Sequence, residues 1–148
     1  MKRVLITVLF LLFSSSGWCI ETLRSYEEVM QSVVRNVRFE DGEEEKYLTN
    51  PTLVMEYIQR RTLSEEAEPK LLTTEELVWA YITKHRLAEG TEHQYLKRPE
   101  MVWSYIRKWK LSEEAQEALL TTPELLQEYA CHWGLSAGML SKLKGERK

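Results

Sequence analysis

Three groups of side chains in this sequence have types and spacings that could do chemistry. Glu65-Glu66 and Glu113-Glu114 are paired carboxylates, the residue type of general acid–base work. His85, Glu89, Glu92 and His93 bring zinc-ligand types close together in the chain. Cys131 stands beside His132, a thiol next to a base. Each spacing has a plainer explanation. The carboxylate pairs follow Ser64 and Ser112 at the start of a helical pattern, where the helix dipole favours anions. His85 closes one helical stretch and His93 belongs to the next, without the tight ligand spacing of a zinc site. Adjacent helical residues point about 100° apart, so Cys131 and His132 do not face each other. The sequence therefore predicts a non-enzyme with no catalytic residue, no metal and no cofactor.

The elements that carry these residues repeat. Units of 24 residues run 25–48, 49–72, 73–96, 97–120 and 121–144. Pro51, Glu75, Pro99 and Pro123 share one column, and Leu53, Leu77, Met101 and Leu125 another. Tyr57, Tyr81, Tyr105 and Tyr129 form a third, and Leu63, Leu87, Leu111 and Leu135 a fourth. Leu48, Leu72, Leu96 and Leu120 close the units. A fixed period of this length marks a stacked array. The predicted fold is all-α: an α-solenoid of about five helical hairpins, the second helix of each short. The first unit lacks the proline and the tyrosine, and the last has Ala130 for isoleucine, so these two read as caps.

Within a unit, Asn50, Thr74 and Thr122 are helix caps, and proline suits the first helical position. Leu77, Val78, Tyr81 and Ile82 make one apolar face. Arg60-Arg61, Lys84-His85-Arg86 and Arg107-Lys108 read as a basic last turn. Leu63 and its equivalents mark the bend. Ser64 and Ser112 then open the second helix, which Pro69 and Gly90 weaken in two units.

Three columns border the apolar face. Arg61, His85, Trp109 and Trp133 fall within it and are expected to be partly buried. Met55, Trp79 and Trp103, followed by Gln127, lie at its edge. Large apolar groups there either complete the core or form the contiguous patch that marks an interaction surface. These three are the first candidate for partner binding. Arg60, Lys84 and Lys108, with His132, form a basic stripe on the other side. The stripe either answers helix dipoles or receives an acidic partner, and is the second candidate.

The recurring proline, Leu–Val, Tyr–Ile and Ser-Glu-Glu-Ala, as in LSEEAQEALLTTPELLQEYA, resemble the short two-helix repeats of bacterial α-solenoids of the leucine-rich-variant and HEAT-like kind. The resemblance spans about residues 25–144. It implies a protein-binding surface without naming the partner. Some leucine-rich-variant proteins hold iron and sulfur on a cysteine cluster ahead of the repeats. This chain has two cysteines, Cys19 and Cys131, so that cofactor does not carry over.

Residues 1–19 have the order of an export signal. Lys2 and Arg3 precede the apolar run 4–13, and Ser14 to Gly17 supply small residues for cleavage. An uncleaved anchor needs about 20 apolar residues, more than this run has. A lipidated Cys19 is disfavoured by Trp18 before it. The expected location is the periplasm or the outside of the cell, with membrane contact only if the segment stays. Residues 20–24 are a lead-in, and 145–148 a basic tail. A formal charge of −3 lacks the basic footprint of a nucleic-acid binder. The expected function is protein–protein interaction. The alternatives are a small enzyme or hydrolase accessory protein with its site in the repeat loops, and a membrane-tethered envelope protein.

Overall fold

A computed structural model describes residues 26–145 of the 148-residue chain. The export signal, the lead-in, Ser25 and all but the first residue of the basic tail lie outside the described residues. Within them the chain forms ten α-helices and no strand. Five helices are the first of their unit: α1 (Tyr26–Asn36), α3 (Pro51–Ile58), α5 (Glu75–Ile82), α7 (Pro99–Ile106) and α9 (Pro123–His132). Between and after them come α2 (Glu44–Tyr47), α4 (Glu68–Leu71), α6 (Glu92–Tyr95), α8 (Glu113–Leu119) and α10 (Ala137–Gly145).

The helix starts follow from local chemistry. Asn50 Oδ1 accepts the Leu53 N–H at 3.0 Å. Thr74 and Thr122 accept from Leu77 and Leu125, each at 3.3 Å. Arg98 has no side-chain cap bond, and Pro99 alone sets that start. Helices α3, α5 and α7 stop at Ile58, Ile82 and Ile106, one turn earlier than the basic residues suggest. The basic groups therefore lie in the bend after the helix, not in its last turn.

The second helices differ from the expected pattern in length. Helix α8 runs from the Ser112 cap as predicted, with Ser112 Oγ accepting the Ala115 N–H at 3.3 Å. Helix α4 does not start after Ser64. Residues 65–67 form a turn, and one helical turn follows from Glu68. Pro69 has no N–H to extend a longer ladder. Gly42 and Gly90, at φ 82° and 86°, turn the chain left-handed just before α2 and α6. The sequence of α8 has neither residue in those positions and holds seven residues of helix.

Consecutive first helices pack on one another: α1 on α3, α3 on α5, α5 on α7 and α7 on α9. Helix α6 packs on α8, and α8 on α10. These contacts recur at the 24-residue offset. Between the two rows lies the core. Leu53, Leu77, Met101 and Leu125 are buried, as are all four tyrosines of the Tyr57 column. Ile58, Ile82 and Ile106 are fully enclosed, while Ala130 in the same column is exposed. Arg61, His85 and Trp109 are partly buried, as expected, and Trp133 is the most open of the column at 39% exposed.

Candidate interaction surface

Polar side chains join each unit to the next. The hydroxyls of Tyr81, Tyr105 and Tyr129 accept the N–H of Leu63, Leu87 and Leu111 at 3.2–3.3 Å. Burial raises the tyrosine pKa values, to about 12 at Tyr105. Tyr81 rises further, with the Glu68 carboxylate adding to the effect of burial.

The Arg61 column supplies donors to helix ends. Arg61 donates to Val37 O at 3.2 Å, and His85 to Ile58 O at 2.6 Å. The indoles of Trp109 and Trp133 donate to Ile82 O and Ile106 O at 3.1 and 2.6 Å. Each bond satisfies a carbonyl that a helix C-terminus leaves free.

A further column carries carboxyl groups that sequence reasoning missed. Glu44, Glu68 and Glu92 are buried, with Gln116 as their fourth member. Glu92 accepts from Ser112 N–H, Ser112 Oγ–H and Gly90 N–H at 2.9, 3.0 and 2.9 Å. Glu44 receives the same donor types from Ser64 and Gly42. Glu68 meets Ala88 instead of serine, and its donors are the Ala88 N–H and the Thr91 hydroxyl. Burial dominates there and raises the Glu68 pKa. Glu44 is buried although it stands in the acidic stretch 40–45. The missed signal was the column itself, with the same residue type recurring every 24 positions.

This network uses several residues that the sequence offered for chemistry. His85 is held by a carbonyl and Glu92 by the next unit, while Glu89 and His93 are exposed. Among the described residues no three His, Cys, Asp or Glu groups could hold a metal ion. His132 Nδ1 bonds its own helix at Glu128 O, and Cys131 is exposed and unpaired. A cleft of about 280 Å³ opens beside Glu68, Tyr81 and Arg86. Glu65 and Glu89 also line it, with Thr62, Leu63, Leu87 and Ala88.

The basic stripe is exposed at Arg60, Lys84 and Lys108. Two of its ammonium groups are already engaged. Lys84 Nζ donates to Gln59 O at 3.1 Å, and Lys108 Nζ to Thr83 O at 2.7 Å. They answer the negative ends of the preceding helices.

Met55, Trp79 and Trp103 are half-buried and pack against the core with part of their surface. They lie on the outer side of the first-helix row. Ion pairs on this side bridge neighbouring helices at both ends. Arg35 meets Glu56 at 2.7 Å between α1 and α3, and Arg107 meets Glu128 at 3.2 Å between α7 and α9. Both span 21 residues. At the two central junctions the same offset falls on Gln59 with Ala80 and on Thr83 with Ser104, all uncharged. Glu56 points towards α1, so residue 55, about 100° round the helix, faces the α3–α5 groove. Trp79 faces the next groove in the same way. Trp103 lies under the Arg107 guanidinium, 5.4 Å from the ring centroid. Met55 and Trp79 therefore face uncharged junctions, and Trp103 adjoins the ion-paired flank at α7–α9.

No family model, curated protein or solved structure matches the chain.

Proposed function

We propose that the chain is an exported α-solenoid serving as a non-catalytic protein-interaction module, with Met55, Trp79 and Trp103 on its binding face. The solenoid reading is supported by helix contacts and hydrogen bonds that recur at the repeat offset. The binding reading rests on one observation. Ion pairs close the first-helix face at both ends and are missing at the two central junctions, where Met55 and Trp79 stand, while Trp103 borders the Arg107–Glu128 pair. Interfaces favour Trp and Met at their centre and polar groups at the rim. Arg60, Lys84 and Lys108 make a poorer site, because two of the three cations serve the neighbouring helix ends. Export to the periplasm or the outside rests on the order of residues 1–19.

Two experiments test this. Crosslinking in the native host, followed by pull-down, should recover a protein whose capture Trp79→Ala and Trp103→Ala reduce without unfolding the chain. Equal capture by the variants would move the site elsewhere. N-terminal sequencing of the exported protein should start near Trp18 or Ile20. An intact Met1 in a membrane fraction would reject release from the membrane.

A further inference from the structure

The charges around the aromatic centre say what it fits. The first helices run parallel. Lys84 and Lys108 reach carbonyls at the C-terminal ends of the preceding helices. At the other ends Arg98 meets Glu75 at 3.0 Å. One edge of the face therefore carries the exposed carboxylates Glu76, Glu100 and Glu124. The opposite edge carries the exposed cations Lys84, Arg107 and Lys108. Each already meets a neighbouring helix, but an ammonium has three N–H donors and a guanidinium five, which leaves donors for a second copy.

We infer that this face binds a second copy of the chain. The inference rests on the docking reading above and names its occupant. Two such faces can be apposed by a two-fold axis in either of two directions. An axis across the row sets acid on acid and base on base. An axis along the row reverses the helices and keeps unit on unit. It places Glu76 against Lys84 of the second copy, and Glu100 against Lys108 of that copy. It also sets Trp79 beside Trp79 and Trp103 beside Trp103. Only the second arrangement satisfies both charge edges while covering the aromatic centre. Such an isologous contact closes as a dimer and does not propagate.

The area sets its strength. Eight-residue helices are about 12 Å long. Four of them at about 9 Å spacing give a face of roughly 400 Å². A stable dimer covers about 800 Å² per partner. The dimer is therefore a concentration-dependent one.

Sedimentation velocity of the purified chain over a series from low micromolar to several hundred micromolar should show a monomer–dimer equilibrium. Trp79→Ala and Trp103→Ala should each weaken it about 30-fold. Charge reversal tests the orientation. Glu76→Lys and Lys84→Glu should each abolish self-association, and an equimolar mixture of the two variants should restore it. Glu100→Lys mixed with Lys108→Glu repeats the test at the next unit. Circular dichroism melts establish that each variant is folded. A wild type that stays monomeric, single variants that still dimerise, or a mixture that does not overturn the proposal. The two readings fail separately. A monomeric chain in which acrylamide reaches Trp79 and Trp103 rejects the second copy alone. Shielded tryptophans in a monomer reject the docking face as well.

Discussion

Glu92→Ala removes the most enclosed of the buried carboxylates. Glu92 is 0% exposed and holds the next unit through the Ser112 N–H, the Ser112 hydroxyl and the Gly90 N–H. With alanine there, the hydroxyl can rotate, but the buried Ser112 N–H has no acceptor. An orphaned buried donor costs about 1–3 kcal/mol. Gly90 is half-exposed, so water replaces part of that bond. The truncated side chain leaves a gap between α6 and α8, adding about 1–2 kcal/mol. The expected loss is about 3–5 kcal/mol, a large part of the 5–15 typical of a domain. Glu92→Gln should cost less, about 1–2 kcal/mol, because one oxygen still receives the Ser112 N–H. Its amide NH₂ would then meet the Gly90 N–H, donor against donor. Gln116 shows where an amide suits this column: its Oε1 accepts from Ser136 and its Nε2 donates to Leu111 O. Urea unfolding at neutral pH, followed by circular dichroism, measures both variants. An alanine variant losing less than about 1 kcal/mol would refute the claim that this column fastens the units.

Other expectations follow from the same network. Tyr105→Ala should cost about 3–5 kcal/mol as a large core truncation. Tyr105→Phe should cost about 1–3 kcal/mol, because the buried Leu87 N–H loses its acceptor, and thermal melts separate the two. Burial raises Tyr95 and Tyr105 to about 12. The stability they lend is fully present below the ordinary tyrosine value near 10 and is lost as pH rises through 12. Tyrosinate absorbance at 295 nm should therefore lag and then rise together with loss of helix. The Glu68 pKa is raised, so its contribution is present below the usual carboxylate range and lost as pH rises through the raised value. Glu68→Gln should accordingly be milder than Glu92→Gln at neutral pH, as paired urea titrations would show.

The apolar columns were legible because each position repeats one residue type and one burial. Leu53 and Tyr57 need only their place in the unit to be read as core. The Asn50, Thr74 and Ser112 caps were legible because capping is local. What escaped the reading depends on the neighbouring unit. The donors to Glu92 come from Ser112, twenty residues on, and a carboxylate in an acidic stretch otherwise reads as solvated. The cations at Lys84 and Lys108 were read as ending their own helices. They end the preceding ones, which a single unit cannot reveal. The lengths of the second helices turned on Pro69, Gly42 and Gly90; the weakening by Pro69 and Gly90 was legible, but the stopping points and the part of Gly42 were not. For the candidate site, the column Met55, Trp79, Trp103 was visible in the sequence. The ion pairs that frame it join residues 21 apart and emerge only when the helices are stacked.

The proposed binding face requires that Trp79 and Trp103 be open to a partner. Acrylamide quenching measures that openness and needs no partner in hand. Two versions of the chain keep Trp79 or Trp103 as the one tryptophan, with phenylalanine at the other tryptophan positions. Measured at a concentration low enough for monomer, both indoles should be quenched, each less than free indole but well above a core residue. Two tryptophans shielded like core residues would contradict the claim and return the search to Arg60, Lys84 and Lys108.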